Sequence, residues 1–266
     1  LPGEHALLVP KTADGRVLFA VPWLGKLVLG TTDTPRSDLP REPRPLRAEL
    51  DFILGEAARY LARAPSPADV LSIWVGLRPL VRPAGDEADT GSISREHTVM
   101  VGASGLVTVT GGKWTTYRAM AEDVLERCMR SGLLPQRSAG VSDCLRLVGA
   151  PPAEAPAGPG VLAAPGAHLY GAEASVLAGL PGHGEELAPG LTVAMVRFAA
   201  RHEYALTVED VLARRSRLLF LDAALAANVA PAVARILEQE TGRDPALAAF
   251  QALAQDYLRW PSEQDA

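Results

Sequence analysis

The residues best suited to chemistry lie in one run, Leu106–Arg118, which reads Leu-Val-Thr-Val-Thr-Gly-Gly-Lys-Trp-Thr-Thr-Tyr-Arg. Alternating apolar and β-branched residues predict a strand over Leu106–Thr110. Gly111 and Gly112 end it, and helical spacing takes over from Tyr117 to Met129. The first turn of such a helix has N–H groups without internal partners and the positive end of the helix dipole. Glycines let a ligand come close to the main chain. Lys113 adds a full charge, and Thr115 and Thr116 add hydroxyls. Two readings fit this corner: a cradle for an anion, or a β-α turn whose glycines serve only the turn.

Four further cations belong with it as candidates, Arg78, Arg82, Arg95 and Arg118. Arg78 stands between Leu77 and Pro79-Leu80-Val81, where a charge needs an anionic partner. Its fork suits a phosphate or carboxylate, each charge-assisted bond contributing roughly 1.5–3 kcal/mol. A structural ion pair with Asp86, Glu87 or Asp89 fits equally well. His5 and His97 read as hydrogen-bonded structural residues, and His168, His183 and His202 have no metal-ligand spacing. No metal site is expected. Trp23, Trp74 and Trp114 read as core or site walls, and Arg201, Arg214, Arg215 and Arg217 as a solvated or salt-bridged face. The sequence holds no Gly-x-Gly-x-x-Gly, Walker loop, nucleophile elbow or Cys-x-x-Cys.

Around these residues the chain reads as two regions. Ala6–Val9, Arg16–Pro22 and Lys26–Gly30 are expected to form antiparallel hairpins, joined at Ala13–Arg16 and Trp23–Lys26. Leu46–Leu61 shows one apolar helical face, Val70–Val81 reads as a strand, and Thr98–Val101 as another. The helix from Tyr117 should stop near Ser131-Gly132. Residues 149–166 hold five prolines, six alanines and a single charge, the composition of a loosely ordered linker. From His168 onward the pattern is helical, with breaks expected at Pro181-Gly182, Pro189-Gly190, Asn228–Pro231 and Gly242, and no strand. The expected division is 1–137, a partial α+β domain; 138–166, a linker; and 167–266, an all-helical domain.

Composition narrows the function. The 266 residues are 48% hydrophobic with a net charge of −5, and neither half has the basic excess of a nucleic-acid surface. The longest apolar run, Leu218–Val233, is too short and too broken to span a bilayer. Cys128 and Cys144 read as reduced thiols of a cytoplasmic protein. The chain opens at Leu1 without Met, and the expectation is a piece of something longer.

Several motifs together resemble the FAD-dependent glycerol-3-phosphate dehydrogenases. They are Pro10–Phe19 with Pro22-Trp23, Gly30–Thr34, Gly76–Leu80, Ser94–His97, Gly105–Arg118, Arg201–Glu203 and Thr207–Arg215, in the family's order. The resemblance implies an α+β fold: the antiparallel substrate-cap sheet and flavin-return strand-helix of a glycine/D-amino-acid oxidase-like fold, followed by an all-α C-terminal domain. It implies FAD as cofactor, glycerol 3-phosphate as substrate, dihydroxyacetone phosphate as product and quinone as electron acceptor. Gly111, Gly112, Lys113, Trp114, Thr115 and Thr116 would meet the flavin, their helix start stabilising the anionic reduced ring. Arg78 would anchor the substrate, Arg95 would be a second phosphate ligand, and Lys113 would stand between flavin and substrate, giving Arg78 and Lys113 as the catalytic pair. Peripheral attachment to the inner face of the cytoplasmic membrane and a homodimer are compatible with this; a nucleic-acid partner is not.

The family's amino-terminal dinucleotide-binding half is missing from the sequence, so this chain alone is expected not to retain FAD and to be inactive by itself. Two alternatives stay open: an oxidase of the same substrate using oxygen, and an interaction module without redox chemistry.

Overall fold

The computed structural model describes residues 5–13, 15–78, 96–138, 140–152, 154–155 and 158–262. Strands β1 (Leu7–Val9), β2 (Leu18–Trp23) and β3 (Lys26–Gly30) form an antiparallel meander in that order. Val9 lies opposite Leu18 and Trp23 opposite Lys26. Leu24 and Gly25 turn the second hairpin with φ of 49° and 76°, the paired positive values that match the twist of two adjacent strands. Helix α1 (Arg47–Ala58) lays Ile53 and Ala57 on Val9 and Leu18 in a small core.

Residues 70–78 form no strand. The apolar run was expected to pair with other strands, but its polar backbone groups bond elsewhere: Ile73 N donates to Tyr257 O, and Leu71 O accepts from Ala223 N. Strands β4 (Thr98–Val101) and β5 (Val107–Thr110) make a separate antiparallel hairpin, with Thr98 opposite Thr110. Helix α2 (Tyr117–Arg130) follows, and Gly132 behind it takes φ 73°, the left-handed stop the sequence predicts.

The C-terminal region is helical: α3 (Ala174–Ala178), α4 (Val193–His202), a π-helical turn at Asp210–Arg215, α5 (Leu218–Leu221), α6 (Ala223–Thr241) and α7 (Leu247–Leu258). Two corrections to the expected pattern arise here. A short hairpin, β6 (Glu186–Ala188) with β7 (Leu191–Thr192), folds about Pro189-Gly190 where no strand was expected. Helix α6 also runs unbroken through Asn228 and Pro231. A proline inside a helix costs about 3 kcal/mol. Pro231 is exposed, while Ala226, Ala230, Val233, Ala234, Ile236 and Leu237 bury the other face of the same helix. That burial outweighs the lost hydrogen bond.

Contacts group the chain into two units. One holds 1–34, 40–75 and 149–266; the other holds 35–39 and 76–148. In the first unit the Pro/Ala-rich stretch touches the meander: Leu24 N donates to Val161 O, and Gly25 packs on Ala164. This grouping runs across the compositional division at 137 rather than along it. Among the described residues no helix is long and apolar enough to cross a membrane.

Candidate functional site

The second unit contains the predicted corner. β5 ends at Thr110, Gly111 and Gly112 follow with φ of 74° and 83°, and Trp114–Thr116 make one 3-10 turn before α2. The glycines are required by the corner itself. A Cβ on Gly111 would lie 2.5 Å from Glu96 O, and one on Gly112 would lie 2.6 Å from Met120 Sδ and 3.0 Å from His97 Cβ. The chain's own atoms therefore fill the inner side of the turn. Its outer side is open, since Lys113, Trp114, Thr115, Thr116, Tyr117 and Arg118 are all exposed.

Within the turn, Thr116 closes on Lys113: both its N–H and its Oγ1 donate to Lys113 O, each at 3.0 Å. Trp114 is 85% exposed and stacks on Tyr117 at 5.4 Å between ring centroids. An indole so placed is not core within this chain, which removes one of the two roles expected of it. Arg118 is drawn along α2, with Nη1 donating to Glu122 Oε1 and to Ser142 Oγ at 3.0 Å each. It is therefore a surface ion pair rather than a ligand poised at the corner. His97 closes the inner side, its Nε2 3.0 Å from Asp123 Oδ2 on α2, which fits the structural role expected of it.

Arg78 lies at the end of the irregular segment, exposed and not without partners. Arg82, Arg95 and the acidic residues Asp86, Glu87 and Asp89 lie outside the described residues. The structure thus brings Gly111–Thr116 and His97 together in one corner and leaves Arg95 unplaced.

In the first unit the polar run after β3 is held by one carboxylate that sequence reading missed. Glu49 Oε1 accepts from Thr32 Oγ1 at 2.9 Å and Thr34 Oγ1 at 2.7 Å, while Oε2 accepts from Leu46 N at 3.1 Å. The signal available was a glutamate three residues after Leu46, the residue that caps α1, which is the spacing of a capping carboxylate. Among the described residues no group of His, Cys, Asp and Glu could hold a metal ion.

Comparison with known proteins gives two family-model matches. Residues 2–118 match the FAD dependent oxidoreductase model, and residues 160–248 match the C-terminal domain of alpha-glycerophosphate oxidase. A mitochondrial glycerol-3-phosphate dehydrogenase of Arabidopsis thaliana is 40% identical over 268 residues, covering 90% of this chain and 42% of that protein. The human mitochondrial glycerol-3-phosphate dehydrogenase is 35% identical over 265 residues, covering 91% and 36%. The chain thus spans about two-fifths of the length of these curated relatives. The crystal structure of a glycerol-3-phosphate dehydrogenase from Bacillus halodurans complexed with FAD has the same fold. Its TM-score is 0.73 at 22% identity, over 97% of this chain and 54% of that one. The two models cover the chain in order, one on the sheets and the corner and the other on the helices, and the chain belongs to the FAD-dependent oxidoreductase family, on its glycerol-3-phosphate dehydrogenase-like branch.

Proposed function

We propose that this chain is the substrate-facing and helical part of an enzyme that oxidises glycerol 3-phosphate to dihydroxyacetone phosphate with FAD and passes the electrons to quinone. The observation that carries the reading is the corner. It has an open outer face, a cationic Lys113 and the start of α2, and the family model ends on it at residue 118. FAD, when bound, supplies the two-electron acceptor for the hydrogen on the substrate's C2 carbon. The donor set fits the electron-rich edge of a flavin: peptide N–H groups of a helix start, an ammonium and hydroxyls. Lys113, Trp114, Thr115 and Thr116 would hold that edge, and the positive potential there favours an anionic ring.

The remaining roles follow from the family resemblance. Arg78 binds the substrate phosphate, Arg95 assists it, and Lys113 holds the substrate toward the corner. The apolar surface that the corner's unit leaves exposed, including Leu106, Val109, Trp114, Tyr117 and Leu125, supports a fold completed by further chain of the kind its longer relatives carry. A membrane-peripheral, dimeric enzyme is the working arrangement proposed with it. The oxidase alternative keeps the same substrate, supported by the description of the model over 160–248. Assaying the holoenzyme with a quinone analogue against dissolved oxygen decides the acceptor.

The test of the substrate site is Arg78→Ala in the holoenzyme. Losing two charge-assisted bonds should lower kcat/KM for glycerol 3-phosphate by about two to four orders of magnitude. Arg78→Lys should recover only part of this, because an ammonium cannot reproduce the fork. Unchanged kinetics with a lowered Tm would make Arg78 a structural ion pair instead.

A further inference from the structure

The irregular segment before Arg78 is tied to helix ends far along the chain. Ala223 N, the first N–H of α6, donates to both Leu71 O at 3.1 Å and Ser72 Oγ at 3.0 Å. Ser72 Oγ in turn donates to Leu219 O of α5 at 2.6 Å. Ile73 N donates at 2.9 Å to Tyr257 O, in the last turn of α7. Helices leave N–H groups at their starts and C=O groups at their ends without internal partners. Leu71–Ile73 satisfy such groups on three helices, beside the Asp222 carboxylate that caps Leu225 N.

Packing reinforces the tie. Ile73 is buried, and Trp74 meets Phe220 edge-on at 5.3 Å, with Phe220 meeting Tyr257 at 5.7 Å. Arg78 follows Trp74 by four residues, a reach of at most about 14 Å of extended chain.

We propose that the helical region is a positioning device for Arg78, with Ser72 as its clasp. Both lone-pair and donor functions of one hydroxyl are used to fix the segment against the junction of α5 and α6. Fixing that end limits the conformations from which Arg78 must be recruited, so that less ordering entropy opposes capture of an anionic group. This rests on the reading of Arg78 as the phosphate anchor.

The test uses the holoenzyme with Ser72→Ala, Ser72→Thr, Arg78→Ala and the double variant Ser72→Ala/Arg78→Ala. Ser72→Ala should raise KM for glycerol 3-phosphate about 2- to 10-fold with kcat little changed. It should also speed hydrogen exchange at Ile73 and at Gly76–Arg78, whereas Ser72→Thr, which keeps the hydroxyl, should restore both. In the double variant the KM should be no worse than with Arg78→Ala alone, because the clasp acts through that arginine. Unchanged exchange at Gly76–Arg78 in Ser72→Ala, or a KM penalty that adds fully to that of Arg78→Ala, would overturn the proposal. If Arg78→Ala leaves KM unchanged, the phosphate-anchor reading fails, and this proposal fails with it. Exchange at Gly76–Arg78 still reports the clasp separately, so the two failures are distinguishable.

Discussion

The helical region and the β4–β5–α2 corner differ in how they treat apolar surface. In the helical region Val196, Phe198, Val208, Leu212, Leu219, Val233, Leu237 and Phe250 are almost wholly removed from water, forming one contiguous core with Ala-rich faces of α4 and α6. In the corner's unit the described core is Val99 and Cys128, while Met100, Leu106, Val109, Trp114, Tyr117, Leu125, Val141, Leu145, Leu147 and Val148 are exposed. One region satisfies its own hydrophobic needs. The other leaves many large apolar side chains and the start of α2 exposed, as expected of a surface shaped to be completed by something else.

That contrast can be broken in several ways. The largest expected effect is all-or-none. The 266-residue chain purified by itself should retain no FAD, because the corner offers contacts to one edge of a flavin only. Flavin absorbance at near one per chain would remove the contrast. Next comes Phe198→Ala in the helical core, where the ring packs on Tyr170 and His202 at centroid distances of 5.2 and 4.8 Å. It should destabilise the protein by about 3–5 kcal/mol in denaturant titration. A loss under about 1 kcal/mol would mean that this core is loosely packed.

The corner should respond more weakly and unevenly. Gly111→Ala meets main-chain atoms of Glu96 and His97, whereas Gly112→Ala meets mainly the movable end of Met120. Both require positive φ, so each should cost about 1–3 kcal/mol, Gly111 the more. Exchange rates of the β5 amides would report it, and the reverse order would contradict the packing described.

The smallest effect is electrostatic. Hydrogen bonds from Arg201, at 2.6 and 2.9 Å, together with the charges of Arg201 and Arg197, hold the Glu240 carboxyl below its ordinary 4.5 against the opposing effect of burial. A carboxyl depressed in the folded state adds stability above its unfolded pKa and loses it as pH falls through the folded value. Glu240→Gln should therefore reduce stability at pH 7, by less than about 1 kcal/mol for so exposed an arginine. It should also flatten the decline of Tm below pH 4.5, and an unchanged acid limb would refute the linkage.

Much of this architecture was legible where a local signal decided it. Lys26–Gly30 and Thr98–Val101 are short apolar runs next to turn residues, and Gly25 and Gly132 mark turns that demand positive φ. The corner was legible for the same reason. What escaped is set by distant partners. Residues 70–78 look like a strand, but their bonds go to helix ends some 150 residues away. The β6–β7 hairpin is two to three residues a strand, too short for periodicity, and rests on Gly190, where a Cβ would strike Pro165 O. Pro231 reads as a break because its exposed position on α6 is a property of packing alone. At the site, residue types pointed to Arg78 and Lys113, but only the folded corner distinguishes the filled inner side of the Gly-Gly turn from the open outer side.

The central claim is that the outer face of Gly111–Thr116 receives the flavin edge. Hydrogen exchange of the Lys113–Tyr117 amides in the holoenzyme, with FAD bound and after its removal, tests this most directly. Bound FAD should slow exchange in that turn while the α4 and α6 core amides stay as they are. Equal rates at the corner with and without FAD would contradict the account.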